Sequence, residues 1–301
     1  MNKTSIYKAY GLVIESEIEL PELTEDQGVP DVTVRIGTVP ELPGGNTGKF
    51  KRVIATRDDL LLNVEDVARY YVENGSNIIV QPTEPVDQAA VRLFLLGSAF
   101  GALLQQRGFF VLHGSAVESR GKAYVFSGQS GAGKSTLTAT LAQSGFPLIA
   151  DDVCAIDARP GTIPKVFPGF PRIKLCRDAA ELLEKDCAIG IPVRAGFEKY
   201  NFSVDNTRQT QALPLGGIFI IRKDEQEGVR LKSVTGLRKI RSLVRNAYRW
   251  NFIKIRREEQ KLLEQCAHIS SQVNIYNLMR GSSGSSATEI ASFLIENGWL
   301  D

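Results

Sequence analysis

The spacing of apolar and polar residues divides the chain into a strand-rich first third and a mixed remainder. Short apolar runs bounded by turn residues predict strands in the first part. These strands are Tyr7–Ile14, Val32–Ile36, Val53–Thr56, Leu60–Val64, Ala68–Glu73 and Ile78–Pro82. Asn74-Gly75, between the last two runs, predicts a hairpin turn. No recognisable chemistry lies in this part, so we interpret it as a small β-rich domain for packing or partner recognition.

A long apolar helix is predicted next, over Val86–Gln106, because its apolar residues recur with a period of 3.6. Gly108 is a plausible stop. The segment is apolar on nearly all sides, which predicts burial between two halves of the molecule. We therefore predict two domains, residues 1–105 and 106–301.

The second part mixes strands and helices, which indicates an α/β fold. Phe109–Val117 and Tyr124–Phe126 are predicted strands, joined by a tight turn into an antiparallel hairpin. A helix from Lys134 to Gln143 and a buried strand over Phe146–Ala150 follow. Further predicted elements are the strands Val153–Asp157, Val166–Phe167, Gly217–Ile221 and Gln272–Leu278, a short helix over Asp178–Leu183, and a final helix that begins at the capping box Ser286–Glu289.

Composition excludes several classes of protein. Hydrophobic residues make up 43% and charged residues 23%, and the net charge of +2 does not suggest nucleic acid or membrane as a partner. The four cysteines lack C-x-x-C spacing and accompany only two histidines, which argues against a zinc cluster. The N-terminus has no signal-peptide pattern, and the apolar run Leu93–Leu104 is short for a membrane span. We expect a cytoplasmic protein with reduced thiols.

The strongest motif is a phosphate-binding loop. Residues from Gly128 to Ser135 fit G-x-x-x-x-G-K-[ST] between a predicted strand and a predicted helix, the context that this motif requires. Glycines let successive N–H groups point into one concavity, and the helix start adds further N–H groups. The predicted nucleotide-binding residues are Gly128, Gln129, Ser130, Gly131, Ala132, Gly133, Lys134, Ser135 and Thr136. Lys134 would reach the outer phosphates and Ser135 would hold Mg²⁺.

Two carboxylates follow one strand later. Asp151 and Asp152 come directly after Phe146–Ala150, and ligands of open α/β sheets bind beyond the carboxyl ends of strands. Adjacent carboxylates repel each other unless a cation or proton intervenes, so one would hold the metal while the other accepts a hydroxyl proton. A solvated Asp-Asp turn is the alternative. The preferred assignment is Asp152 as metal ligand and Asp151 as base, with exchange of the two roles left open.

His113 precedes the loop in the predicted hairpin. A lone histidine is more often a satisfied structural residue than a catalytic one, but the hairpin would bring this one close to the phosphates. We therefore place His113, together with Lys134 and the two aspartates, among the candidate catalytic residues.

These motifs together resemble the catalytic domain of HPr kinase/phosphorylase, over roughly residues 105–225. The resemblance implies a P-loop core related to that of phosphoenolpyruvate carboxykinase, use of ATP and Mg²⁺, and phosphorylation of a protein serine. It matches His113, Lys134, Ser135, Asp151 and Asp152 to the family's catalytic histidine, phosphate-binding lysine, metal-binding hydroxyl and acidic pair. Residues 1–105 do not resemble the family's N-terminal domain, which makes the phosphocarrier HPr itself a doubtful target.

The chain is more similar to short HPr kinase-like proteins of lasso-peptide biosynthesis. Three segments carry this similarity: residues 168–175, residues 213–216, and an opening segment in which Tyr7, Gly11-Leu12, Ile14, Ser16-Glu17 and Leu20-Pro21 match. This resemblance implies a serine kinase that acts on a precursor peptide, with the C-terminal serine as the favoured acceptor. It also implies that the protein assembles into a homo-oligomer. A small-molecule hydroxyl kinase and a non-catalytic nucleotide sensor are the alternatives.

Basic residues outside the motif have two interpretations. Arg172 and Lys174 follow a Pro-Gly-Phe-Pro turn and would either contact phosphate or a peptide carboxylate, or simply be exposed. Thr235–Ser270 is predicted to be helical and strongly basic, with a break over Trp250–Ile255. It is either a solvated helix face or a cradle for phosphate or an acidic peptide. Nucleic acid is disfavoured because no aromatic platform accompanies the charge.

Overall fold

A computed structural model describes residues 4–42, 45–47, 52–184, 191–192, 198–204, 211–281 and 286–301. Its strands are β1 (Ser5–Ala9), β2 (Leu12–Ser16), β3 (Thr24–Glu25), β4 (Val32–Ile36), β5 (Asn46–Thr47), β6 (Val53–Ala55), β7 (Asp59–Val64), β8 (Ala68–Glu73), β9 (Asn77–Pro82), β10 (Phe110–Ser119), β11 (Lys122–Gly128), β12 (Leu148–Ala150), β13 (Val153–Asp157), β14 (Lys165–Phe167), β15 (Arg172–Cys176), β16 (Ile191–Pro192), β17 (Lys199–Ser203), β18 (Leu213–Asp224), β19 (Arg230–Ser233) and β20 (Asn274–Gly281).

The helices are α1 (Gln88–Phe94), α2 (Phe100–Gln106), α3 (Lys134–Gln143), α4 (Arg177–Leu182), α5 (Leu237–Asn246), α6 (Trp250–Ile255), α7 (Glu259–Gln272) and α8 (Ala287–Glu296). A π-helical turn, Leu95–Ala99, joins α1 to α2, so the predicted long helix is continuous but locally widened. The predicted capping box is confirmed, since the Ser286 hydroxyl accepts a hydrogen bond from the Glu289 N–H at the start of α8.

The N-terminal part forms a nine-stranded sheet in the order β3-β1-β2-β4-β9-β8-β7-β6-β5. Its β8–β9 hairpin turns at Asn74-Gly75, where the sequence predicts it. The predicted strand Tyr7–Ile14 is wrong, because β1 and β2 form a hairpin that reverses at Tyr10-Gly11. Both turn residues have positive φ, and the Tyr10 ring is buried against Phe170, so a long-range contact offsets the cost of the tight turn.

The second sheet is arranged around the β10–β11 hairpin, which confirms the predicted antiparallel pair. β10 also pairs with β13, β13 with β14, and β14 with β18. β18 in turn runs parallel to β11, which closes the path into a ring. β12, which pairs with β10, and β20 and β19 extend this sheet to eight strands, and β15, β17 and β16 form a separate small sheet. The fold is therefore mixed α/β with several sheets.

The C-terminal helices break three residues earlier than the sequence predicts. Trp250–Ile255 is a helix, and the chain bends instead at Ala247–Arg249. Ala247 bridges to Leu112, and the Tyr248 N–H donates to the Val111 carbonyl at 2.8 Å. Arg249 has φ 48, in the left-handed region. The bend is caused by this attachment to β10, which is a tertiary contact.

One hydrophobic cluster spans the predicted domain boundary, while further clusters lie within each part. Residues of the N-terminal sheet and of the helix pair pack with Val111, Val153 and Phe170 from the second part. The segment Gln88–Gln106 has the length and hydropathy of a membrane span, with a mean hydropathy of 1.3, but 72% of it is buried inside the protein. It is therefore built as a core helix between the two sheets.

Candidate active site

The loop between β11 and α3 has the backbone that its glycines predict. Gly131 and Gly133 have φ values of 78° and 96°, which side chains rarely adopt. Gly128 has φ 148, and a Cβ there would lie 2.8 Å from the Ile221 carbonyl oxygen. α3 begins without a side-chain cap, so its first N–H groups have no such partner. This geometry suits an anion at the start of the helix.

Lys134 lies inside the loop and is largely buried. Its Nζ donates to the carbonyl oxygens of Gly128 and Gln129, each at 3.0 Å. Burial lowers the pKa of Lys134, and the charges of Asp152 and Asp151 partly oppose that effect. The ammonium group is thus held at the loop, in a position where a phosphate oxygen can replace the carbonyl contacts.

A cavity of about 860 Å³ lies against the loop. Gly128, Gln129, Ser130, Gly131 and Ala132 form one wall of this cavity. Three cations also line it: Arg222 and Lys223, near the end of β18 beside the loop, and Arg245 from α5. Gly133, Lys134, Ser135 and Thr136 are not part of the lining, and the nucleotide-binding role of the predicted residues stays a prediction. A cavity lined by a glycine-rich loop and by cations matches the charge of a nucleotide's phosphates.

Sequence reasoning missed the pair Arg222-Lys223. Its signal was available, because two cations follow the apolar run Gly217–Ile221, a strand predicted for the same sheet. The parallel pairing of that strand with β11 is what places them at the loop, and it joins positions far apart in the chain.

Asp151 is the carboxylate next to the loop's serine. Its Oδ1 accepts hydrogen bonds from the Ser135 hydroxyl at 2.8 Å and from the Ser115 hydroxyl at 2.5 Å. Its Oδ2 accepts from the backbone N–H of Lys174 at 2.8 Å. Ser115 was not singled out from the sequence, since one serine in a strand has no distinguishing pattern. Three donors hold this buried side chain in one orientation.

Asp152 points to a different set of partners. Its Oδ1 lies 3.2 Å from His113 Nδ1, and its Oδ2 accepts from Lys174 Nζ at 2.9 Å. Burial alone would raise the pKa of Asp152, but Lys174 and His113 together hold it well below its usual value. Asp152 is therefore an ionised carboxylate with a cation on one side and an imidazole on the other.

The two aspartates have different contacts, and which of them holds the metal and which is the base stays a prediction. The sequence favoured Asp152 as the metal ligand, but Asp151 is the one that contacts Ser135. Both residues lie in the bend between β12 and β13, and their carboxylates have different partners. The φ of 74° at Asp152 turns the chain there from β12 into β13. Residue spacing alone could not decide which of the two faces the loop.

The two cations after the Pro-Gly-Phe-Pro turn have separate roles. Arg172 is buried, with its guanidinium 3.7 Å from Glu22 and over the Phe170 ring, so the alternative of an exposed cation is wrong. Burial lowers the pKa of Arg172, and Glu22 opposes this. Lys174 is the one that reaches the site, through Asp152.

A second layer of tyrosines supports this cluster. The Tyr10 hydroxyl donates to the Val153 carbonyl at 3.2 Å, directly after Asp152. The buried ring of Tyr248 lies 5.9 Å from the His113 ring. A Cβ at Gly101 would lie 2.6 Å from Tyr248 Cε1, so α2 needs a glycine where this ring packs. The N-terminal part therefore contacts the site through Tyr10 and through the packing of Gly101 against Tyr248.

The donors at this site fit a magnesium ion that is bound together with phosphate. Ser135 and Asp151 offer two hard oxygen ligands next to each other. Among the residues that the structure describes, no group of three or more histidine, cysteine, aspartate or glutamate side chains could hold a metal by itself. Mg²⁺ commonly takes its remaining ligands from substrate phosphates and water. Cys154, Cys176 and Cys266 are free thiols, and Cys187 lies outside the described residues.

Comparison with known proteins finds similarity among solved structures only. No family description matches the chain, and no curated protein matches it. Among solved structures, the HPr(Ser) kinase/phosphatase from Coxiella burnetii aligns with 63% of this chain and 90% of its own, at 13% identity and a TM-score of 0.34. Similarity at this level does not determine an activity, which has to be inferred from the site.

Proposed function

We propose that this protein is a kinase that transfers the γ-phosphoryl group of ATP to a serine hydroxyl of a peptide or protein. The observation that carries the proposal is the position of the two aspartates beside a glycine-rich phosphate loop. One of them is bound to the loop's serine, and the other is kept ionised by a lysine and a histidine. Phosphoryl transfer depends mainly on such positioning and on charge stabilisation.

ATP with Mg²⁺, when bound, supplies the phosphoryl group and neutralises charge on the phosphates. In this scheme the loop amides and Lys134 bind the phosphates, and Ser135 with Asp151 holds the metal. Asp152 accepts the proton of the acceptor hydroxyl as the new O–P bond forms and the bond to the leaving phosphate oxygen breaks. The transition state is loose, so the acceptor needs little extra nucleophilicity, and a carboxylate with a low pKa is basic enough.

His113 and Lys174 act on Asp152 and not on the phosphates in this scheme. Lys174 keeps the carboxylate ionised, and His113 fixes the orientation of the other oxygen. Arg222, Lys223 and Arg245 line the same cavity as the loop, and in this scheme they stabilise the negative charge of the nucleotide.

The favoured acceptor is the C-terminal serine of a lasso precursor peptide, by the resemblance of the segments around Tyr7, Pro168 and Leu213. A homo-oligomeric, cytoplasmic enzyme belongs to the same proposal. A small-molecule kinase and a nucleotide sensor remain the competing functions.

Acceptor-dependent loss of ATP separates these three functions. The purified protein is incubated with Mg²⁺, ATP and serine peptides, and products are identified by mass spectrometry. A mass increase of one phosphate on a serine supports the proposal. Transfer to metabolites alone supports a small-molecule kinase, and nucleotide binding without turnover supports a sensor.

A further inference from the structure

The described structure contains a second cavity that is larger than the one at the phosphate loop. A groove of about 1120 Å³ lies between the N-terminal sheet, the π-helical turn and α6. Its volume exceeds the roughly 300–1,000 Å³ typical of small-molecule pockets, which favours an extended ligand. The proposed function does not use this groove.

The groove has an apolar base and a basic rim. Val53, Leu62, Phe94 and Phe252 supply apolar surface. Arg249, Lys254 and Arg257 are exposed along its α6 side. None of these three cations forms an ion pair with a carboxylate in the part of the chain that the structure describes. On the opposite side Arg52 lies 3.9 Å from Glu65, and the exposed Asp66 adds one negative charge, so the excess of positive charge lies on the α6 side.

The inner end of the groove lies beside the residues that support the candidate active site, with the buried Tyr248 ring between the two. Ser98 and Arg249 both line it. The Arg249 guanidinium lies 5.6 Å from the centre of the Tyr248 ring, and Tyr248 packs at 5.9 Å from His113. The left-handed φ of 48° at Arg249 is a conformation that a non-glycine residue adopts only where its surroundings impose it. The bend at Ala247–Arg249 therefore separates the nucleotide cavity, lined by Arg245, from this groove.

We propose that the groove binds the acceptor, and that the acceptor is an acidic peptide segment with apolar side chains. Its carboxylates pair with Arg249, Lys254 and Arg257, and its apolar side chains pack on Phe94 and Phe252. The inference rests on the proposed function, since it names the substrate of the same site. Charge complementarity determines which peptides are selected, and the apolar base adds binding area.

Binding can be measured without any phosphoryl transfer. The probe is a short fluorescein-labelled peptide with one serine, leucines and glutamates, compared with a matched peptide that has lysines in place of the glutamates. Fluorescence anisotropy with the full chain should give about tenfold tighter binding of the acidic peptide, a difference that decreases with added salt. Equal affinity for the two peptides would overturn the proposal.

Charge reversal tests whether the groove is responsible. Arg249→Glu with Lys254→Glu should invert the preference, so that the lysine peptide binds more tightly, and a misfolded variant would not produce that inversion. Lys254→Glu alone should reduce the preference by a smaller factor. Arg241→Glu, on an exposed position of α5 outside the groove, should leave the preference unchanged. An unchanged preference in the double variant would refute the assignment.

Two further measurements keep this proposal separate from the proposed function. A fluorescent ADP analogue should bind the double variant as it binds the parent protein. Selective peptide binding with no phosphoryl transfer would reject the proposed kinase activity and support the groove as a peptide-binding site. Transfer that is unaffected by charge reversal would support the kinase activity and reject the groove as the acceptor site. Sedimentation velocity covers another occupant: if the double variant dissociates a dimer, the groove is covered by a second copy and the proposal fails.

Discussion

The N-terminal sheet and the ring of strands around the phosphate loop differ in how they treat polar groups. In the described strands of the N-terminal sheet, Ser16 is the one fully buried polar side chain. Around the loop, Ser115, Ser127, Lys134 and Asp151 are all buried. Burying polar groups costs free energy unless each is hydrogen-bonded, and these are. The second region maintains a costly polar cluster, and the first supplies apolar support to it.

The comparison also shows that the supporting region is not independent of the site. Tyr10 bonds to the chain after Asp152, and the glycine face of α2 receives Tyr248. Substitutions in the ring of strands around the phosphate loop should therefore affect transfer directly. Substitutions in the N-terminal part should affect transfer by a smaller factor, because they act through the positions of the active-site residues.

Lys134→Ala should have the largest effect on transfer. It removes the ammonium group that lies in the loop, and we expect loss of transfer by about 10³-fold, comparable to removal of a strong electrostatic contact. Turnover with the best serine peptide measures the effect. Lys122→Ala, at the exposed start of β11, is the control, and its turnover should stay close to that of the parent protein. Undiminished turnover in Lys134→Ala would exclude the phosphate-loop mechanism.

The two aspartates should fail in different ways when changed to asparagine. Asp152→Asn should lower kcat by about 10²-fold or more at saturating Mg²⁺, because it removes the proton acceptor. Asp151→Asn should instead raise the Mg²⁺ concentration needed for half-maximal rate. A magnesium titration of both variants measures this. Asp157→Asn, at the end of β13, is the control. If both variants keep full activity, no aspartate is the base.

Lys174→Met should shift the acidic limb of the pH–rate profile upward. The pKa of Asp152 is depressed in the folded protein, so the stability that this group contributes is present above its unfolded pKa and is lost as pH falls through the folded one. Removing the lysine should raise the acidic pKa of kcat/KM by about 1 unit or more. Lys165→Met, exposed on β14, should leave the limb in place. An unshifted limb in Lys174→Met would mean that another group titrates there.

Many elements of this fold could be predicted from local sequence, and the wrong predictions share one cause. β4, β8 and β13 lie where alternation predicts them, as do the hairpin into the loop and the capping box of α8. The errors occur where long-range contacts decide. Tyr10 turns because its ring is buried against Phe170, and α5 ends where Tyr248 attaches to β10. Arg172 is buried because Glu22, from the other part of the chain, pairs with it.

The same holds for the site. The loop, His113 and the aspartate pair could be selected from the sequence as candidate site residues because they belong to short sequence motifs. Which aspartate faces Ser135 depends on the direction of two adjacent side chains at a bend, and Ser115 and Arg222 enter only through strand pairing. Neither kind of information is contained in residue spacing.

Gly101→Ala tests the support that α2 gives to the site. The added methyl group meets the buried Tyr248 ring at 2.6 Å, so the ring has to move. Overpacking of this kind costs about 1–3 kcal/mol, and we expect a lower midpoint of urea denaturation together with a severalfold loss of transfer. Gly37→Ala, whose new Cβ would make an ordinary contact, is the matched control. Full activity and stability in Gly101→Ala would show that Tyr248 does not position His113.

Tyr10→Phe should have the smallest effect and gives the sharpest comparison between the two regions. It removes one hydrogen bond to the Val153 carbonyl and keeps the ring, at a cost of about 0.5–1.5 kcal/mol. Tyr7→Phe removes the bond that the Tyr7 hydroxyl accepts from the Leu20 N–H, in the same sheet but away from the aspartates. Urea denaturation should show similar losses of stability for both variants. Only Tyr10→Phe should lower kcat, by a few fold, because only its bond fixes the chain next to Asp152. Equal kcat values in the two variants would show that the N-terminal sheet stabilises the protein without positioning its chemistry.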